Sequence, residues 1–152
     1  AFVGLERFEG SHPFTIASPD HGGGYGKACV YAESLTREAI LDALRARRCY
    51  GTTAARLALD VRVAGHLMGE KVAGAAPAAV PVEVRVTAPN DLERVEVCRN
   101  NVYVYSKACE GRTSSFTFTD GEPPKDRAWY YVRVVQKDGE LAWSSPVWFG
   151  TK

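Results

Sequence analysis

From residue 57 onward, apolar side chains fall on every second position. In "ARLALDVRVAG", Leu57, Leu59, Val61 and Val63 alternate with Arg56, Ala58, Asp60 and Arg62. "VPVEVRVTAP" repeats the pattern through Val80, Val82, Val84 and Val86. Period two sends one face of a strand to a core and the other to solvent, which a helix of 3.6 residues per turn cannot do. The pattern continues through Val95 and Val97, then Val102 and Val104 beyond an Arg99-Asn100-Asn101 turn, then Phe116 and Phe118. "RAWYYVRVVQKDGELAWSSPVWFG" supplies two more strands around Asp138-Gly139, a hairpin signal. About seven short strands at intervals of roughly ten residues predict a mainly β fold, an immunoglobulin-like β-sandwich of about 100 residues. "Immunoglobulin-like" refers to architecture only, because the disulfide-plus-tryptophan pattern of antibody domains is absent. Trp129, Trp143 and Trp148 are expected to help fill or close its core.

The first fifty residues read differently. "KACVYA" (27–32) is rich enough in β-branched and aromatic residues for a strand. Residues 36–48 read as a helix, with Thr36 as N-cap and Glu38 in the first turn, where the helix dipole favours an anion. Ala39, Ile40, Ala43, Leu44 and Arg47 share one face at three-to-four spacing. Arg45, Arg47 and Arg48 gather at the C-terminal end, and Gly51 is expected to stop the helix. The chain therefore divides into a strand-helix unit at 1–52 and a sandwich at 53–152.

Composition excludes several classes. A chain of 152 residues with 45% hydrophobic and 24% charged residues suits an ordinary globular protein. A formal net charge of +1 offers no field for nucleic acid or an anionic membrane. No apolar run approaches the roughly 20 residues that span a bilayer. The opening "AFVGLERFEG" lacks the basic and apolar regions of a signal peptide. It also lacks methionine, so the chain is expected to be a processed or cut product, and a cytoplasmic location is expected. Cys29, Cys49, Cys98 and Cys109 form no C-x-x-C pair, which argues against structural zinc. They read as thiols in a reducing compartment, with a Cys98–Cys109 bridge across a hairpin as the competing arrangement.

The chemistry-bearing residues concentrate in "IASPDHGGGYGKACVYAE" (16–33). Asp20 and His21 are good donors to Zn, Mn or Fe, and the glycines after them permit open access at a strand end. Pro, Asp and Gly are also turn residues, so the same stretch reads as a solvated turn. His12 precedes a proline and reads as a loop residue, and His66 reads as a hairpin or edge position. "GGGYGK" lacks the following Ser or Thr of a phosphate loop. The three arginines could hold a phosphate or an acidic partner, or simply end a helix. Cys49 sits at a helix C-terminus, where the dipole opposes a thiolate. Tyr103, Tyr105, Tyr130 and Trp148, if exposed together, could form a carbohydrate platform.

"VYAESLTREAILDALRARRCYGTT" (30–53), "LALDVRVAGHLMGE" (57–70) and "WYYVRVVQKDGELAWSSPVWF" (129–149) resemble the C-terminal part of DUF3604 proteins. Those are related to the PHP (polymerase and histidinol phosphatase) metallohydrolases. The resemblance implies a distorted (β/α) barrel with a multinuclear metal site, whose last motif places an Asp and a His together after a late strand. "A-S-P-D-H" occupies that place here, making Asp20 and His21 the implied last ligands. Two positions depart from the pattern: Pro19 stands where a second serine is usual, and "GGGYG" replaces a stretch that usually holds a further His. The other ligands would come from earlier strands, and two donors cannot close a catalytic metal site. The implied function is the C-terminal region of a metal-dependent hydrolase, with phosphoesterase chemistry as one option, inactive as an isolated piece and binding no metal alone. Its partners would be the upstream barrel or a second copy of the chain. The alternative is a non-catalytic β-sandwich module that binds a protein partner, a subunit or a carbohydrate.

Overall fold

The structure is a computed structural model and describes residues 15–18 and 26–151. Its described residues form twelve strands and one helix, in the order β1 (Lys27–Val30), α1 (Arg37–Arg45), β2 (Cys49–Thr52), β3 (Ala58–Val63), β4 (His66–Leu67), β5 (Lys71–Ala73), β6 (Val80–Thr87), β7 (Leu92–Arg99), β8 (Val102–Ala108), β9 (Thr113–Asp120), β10 (Ala128–Gln136), β11 (Leu141–Ser144) and β12 (Val147–Thr151). A four-stranded sheet runs β4-β3-β6-β9. An eight-stranded sheet runs β1-β2-β11-β10-β12-β5, with β7 on the other edge of β10 and β8 beyond β7.

The alternation predicts the smaller sheet well. Cross-strand pairing puts Val63, Val82 and Phe118 in one row and Val61, Val84 and Phe116 in the next. The valines and Leu59 are fully buried. Opposite them, Val132 pairs with Val97 and Val134 with Val95 on the inner face of the larger sheet. The aliphatic residues belong to one core cluster and Phe116 and Phe118 pack against it, so the two sheets pack on each other as in a β-sandwich. Removing each such side chain from water contributes about 1.5–3 kcal/mol before entropy is counted.

Three readings need correction. Val102 does not continue the inward row of β7, being 61% exposed, whereas Val104 is half-buried against the core cluster. The β7–β8 ladder shifts register between Val97 and Cys98, so Tyr105 faces Val97. Tyr105 then stacks on Phe118 with ring centroids 4.6 Å apart. The extra residue of a bulge swaps which side chains point inward. The final segment holds three strands rather than two. β11 pairs with one half of β10 and β12 with the other, and Ser145-Pro146 separates them. Trp148 is buried, but none of the three tryptophans joins the core cluster: Trp129 and Trp148 pack on each other at 5.2 Å, opposite one another in the β10–β12 ladder.

The helix begins as expected, since Thr36 accepts a hydrogen bond from Ala39 N at 3.2 Å. It does not end at Gly51, which lies inside β2. Instead Ala46 is the C-cap, and Arg47 takes φ +58. Arg47 N donates to Leu44 O and Arg48 N to Ala43 O, each at 2.9 Å. That pair of bonds is a Schellman motif with arginine in the position that usually belongs to glycine.

β1, α1 and β2 join the sandwich at two edges. β2 pairs with β11, extending the larger sheet. The hydroxyls of Tyr31 and Tyr50 donate to the carbonyls of Leu59 on β3 and of Leu57 just before it, the latter at 2.6 Å. Met68 N takes the next carbonyl in line, that of Val61, at 3.0 Å. Two phenols thus stand where an adjoining strand would bond. Burial raises both phenols, that of Tyr31 to about 12, so they remain donors at neutral pH.

Candidate functional site

Asp20, His21 and His12 lie outside the described residues. What the structure shows is the frame around 19–25. Residues 15–17 cross β2: Thr15 N donates to Ser145 Oγ at 3.1 Å, and Thr15 Oγ1 to Ser144 O at 2.9 Å. Cys49 Sγ donates to Thr15 O at 3.3 Å. A Cβ on Gly51 would sit 3.0 Å from Ala17 Cβ and 3.1 Å from Thr15 Cγ2, so close approach is what glycine provides there. A Cβ on Gly26 would meet Ser18 N at 3.2 Å. The chain therefore leaves at Ser18 and returns at Gly26 with its two backbones in contact, at the Lys27 end of β1. Lys27 Nζ donates to Ala54 O at that same end, at 2.6 Å.

Among the described residues, no group of three or more His, Cys, Asp or Glu side chains is placed to hold a metal ion. His66 is the edge residue the sequence predicts. Its Nδ1 lies 3.0 Å from Glu70 Oε2, and its ring edge meets Phe149. The four cysteines are all unbridged. Burial pushes the Cys49 and Cys98 thiols up, which keeps them protonated and unreactive. The four aromatic residues considered as a sugar platform do not share a surface: Tyr130 and Trp148 are buried, and Tyr105 is half-buried against Phe116 and Phe118. Only Tyr103 of the four is exposed, at 46%, with the Arg133 guanidinium 4.7 Å from its ring centroid.

The three arginines part company. Arg45 turns back to Asp42 at 2.9 Å, an exposed pair worth little. Arg47 Nε donates to Gly69 O at 2.8 Å, tying the helix end to the turn after β4.

Two polar clusters escape sequence reasoning. At one end of the sandwich the Asp120 carboxylate accepts from Tyr130 Oη at 2.7 Å and from Arg99 Nη1 at 2.8 Å. On the outer face of the larger sheet, Glu96 accepts from Arg133 at 2.6 Å and from Arg94 at 3.0 Å. Burial alone would raise Glu96, but these two arginines outweigh it and hold the carboxyl below its ordinary range. Spacing relates only Arg94 to Glu96 on β7; Arg133 reaches Glu96 through the β7–β10 pairing, and Asp120 reaches Arg99 and Tyr130 through the packing of one sheet on the other.

Residues 10–97 match the family described as "Protein of unknown function (DUF3604)". The chain belongs to the DUF3604 family. The match takes in the Asp20-His21 pair, the strand-helix unit and the first strands of the sandwich. Three relatives are similar over 138 residues, 81% of this chain, and each is named only as an uncharacterized protein. They come from Chlamydia pneumoniae at 28% identity, Chlamydia muridarum at 26% and Chlamydia trachomatis at 25%. The chain spans 22% of the length of each. A crystal structure of an engineered protein is similar at 16% identity over 64% of this chain and 20% of that one, with a TM-score of 0.34, a likeness too loose to bear on the fold. No helix among the described residues is long and apolar enough to cross a membrane.

Proposed function

We propose that this chain is the C-terminal region of a PHP-like metal-dependent hydrolase acting on a phosphate or similar ester. Asp20 and His21 are the chain's contribution to the metal centre. The observation that carries the reading is the family match, which begins at residue 10 and so includes this pair. In this reading β1 and α1 are the last strand and helix of a barrel, and the immunoglobulin-like sandwich is an appended domain. A divalent metal (Zn, Mn or Fe) held by Asp20, His21 and ligands from the upstream barrel would activate a water molecule for attack. Two donors cannot close a catalytic metal site, so in this reading the isolated chain is inactive. Four unbridged cysteines support a reducing, cytoplasmic setting.

The test is metal analysis of the full-length protein and its His21→Ala variant. A lower metal content in the variant supports the assignment, and equal content refutes it. The alternative, a non-catalytic interaction module, predicts that equality. Its carbohydrate form is disfavoured by the burial of Tyr130 and Trp148.

A further inference from the structure

Arg47 and Arg48 do not simply end a helix. They line an open cleft of about 410 Å³ between the end of α1 and the β3–β5 region, completed by Arg62 and Lys71. Arg47, Arg48 and Lys71 have no carboxylate partner among the described residues, and Arg62 has only Asp60 at 3.7 Å. One carboxylate shares the cleft, that of Glu70. It is already engaged, accepting from Leu67 N at 3.0 Å and lying 3.0 Å from His66 Nδ1. Four cations facing one space repel one another unless an anion joins them.

The backbone under the cleft is interlocked. Gly69 has φ +94, and a Cβ there would fall 2.2 Å from Arg47 O. Arg47 stands at φ +58 in a Schellman position that local energetics would give to glycine. Residues that override a local preference concentrate at functional sites. Its Nε bond to Gly69 O and its Nη1 bond to Arg45 O fix the direction of the guanidinium, leaving Nη2 uncommitted among the described residues. A held guanidinium presents its donors in a fork that matches an oxyanion.

We propose that this cleft binds a phosphate-class dianion, either inorganic phosphate or a phosphate monoester, through Arg47, Arg48, Arg62 and Lys71. The proposal does not depend on the metal role of Asp20 and His21. It is tested by amide NMR titration of the 152-residue chain with inorganic phosphate and, separately, glycerol 3-phosphate at constant ionic strength. Saturable shifts at Arg47, Arg48, Arg62 and Lys71 are expected, with affinity falling about tenfold or more in an Arg48→Gln, Lys71→Gln double variant. Arg47→Gly supplies the residue the turn prefers, so it should keep the fold while still weakening binding. Tighter binding of the monoester supports an organic ligand, and the reverse supports free phosphate. Absence of saturable shifts, equal shifts at the distant Arg85 and Arg112, or undiminished binding in the double variant would overturn the proposal.

Discussion

Replacing Asp120 by Asn isolates what a buried carboxylate contributes to this sandwich. Asp120 ends β9 in the smaller sheet, while its partners Arg99 and Tyr130 lie on β7 and β10 of the larger one. The substitution keeps the shape but removes the charge, and the new amide donor faces two groups that are themselves donors. Tyr130 is fully buried and keeps its acceptor only if the amide oxygen takes the Oδ2 place, which turns the NH2 toward Arg99 and Glu122 N, both donors to Oδ1. Arg99 is partly shielded from the loss, since its side chain is 25% exposed and it also donates to Glu122 O at 2.7 Å. The cost therefore belongs at or below the low end for breaking a buried pair, about 2–3 kcal/mol. For a chain of this size that lowers Tm by about 4–12 °C. Burial alone would raise the Asp120 carboxyl, but hydrogen bonds from Tyr130 and Arg99 outweigh it and hold the carboxyl below its ordinary value of 3.8. A depressed acid stabilises the fold fully above its unfolded pKa and loses that contribution as pH falls through its folded pKa. Urea titrations should thus show a constant gap between wild type and Asp120→Asn from pH 7 to about pH 5, narrowing below about 3.8. A Tyr130→Phe, Asp120→Asn double-mutant cycle should show coupling of about 1 kcal/mol or more. A loss under about 0.5 kcal/mol at pH 7, or a gap that persists unchanged in acid, would refute this account.

Gly69→Ala should destabilise the chain by about 3 kcal/mol or more in chemical denaturation, because strained backbone and a clash with Arg47 O add together. Gly65→Ala, at φ +83 with nothing within 4 Å, should cost only about 1 kcal/mol. Thr36→Ala removes the cap bond to Ala39 N and should reduce hydrogen-exchange protection of the α1 amides about fivefold, a local effect because the helix buries only Ala43. In an Ellman titration of the native chain, Cys49 and Cys98, fully buried, should react only on unfolding, with the half-buried Cys29 reacting first.

The inner faces of β3 and β6 were legible in the sequence because strict alternation has one solution when one face is buried. Thr36 was legible for a similar reason: a cap is a local event. Gly51 misled because glycine after a helix usually stops it, whereas here close packing of residues 15–17 requires it and Arg47 makes the turn. The β7–β8 bulge was invisible, since one inserted residue leaves composition and alternation almost unchanged while bringing Tyr105 opposite Val97 and against the core beside Val104. The candidate site was legible only as residue types. Asp20 and His21 advertise metal chemistry, but ligand completeness is a three-dimensional property. The basic cleft needed the fold as well: Arg62 and Lys71 come from separate strands, and no spacing rule links them to Arg48.

The phenols of Tyr31 and Tyr50 change what "domain" can mean for this chain. A cut between residues 52 and 53 follows the change in sequence character, yet it would strip two edges at once. β11 would lose β2, and the carbonyls of Leu57 and Leu59 would lose their donors. Both bare edges belong to strands that continue into the core, and bare edges are templates for pairing with another molecule. Tyr31 and β2 therefore act as selvage to the sandwich, finishing a woven border that would otherwise ravel into its neighbours.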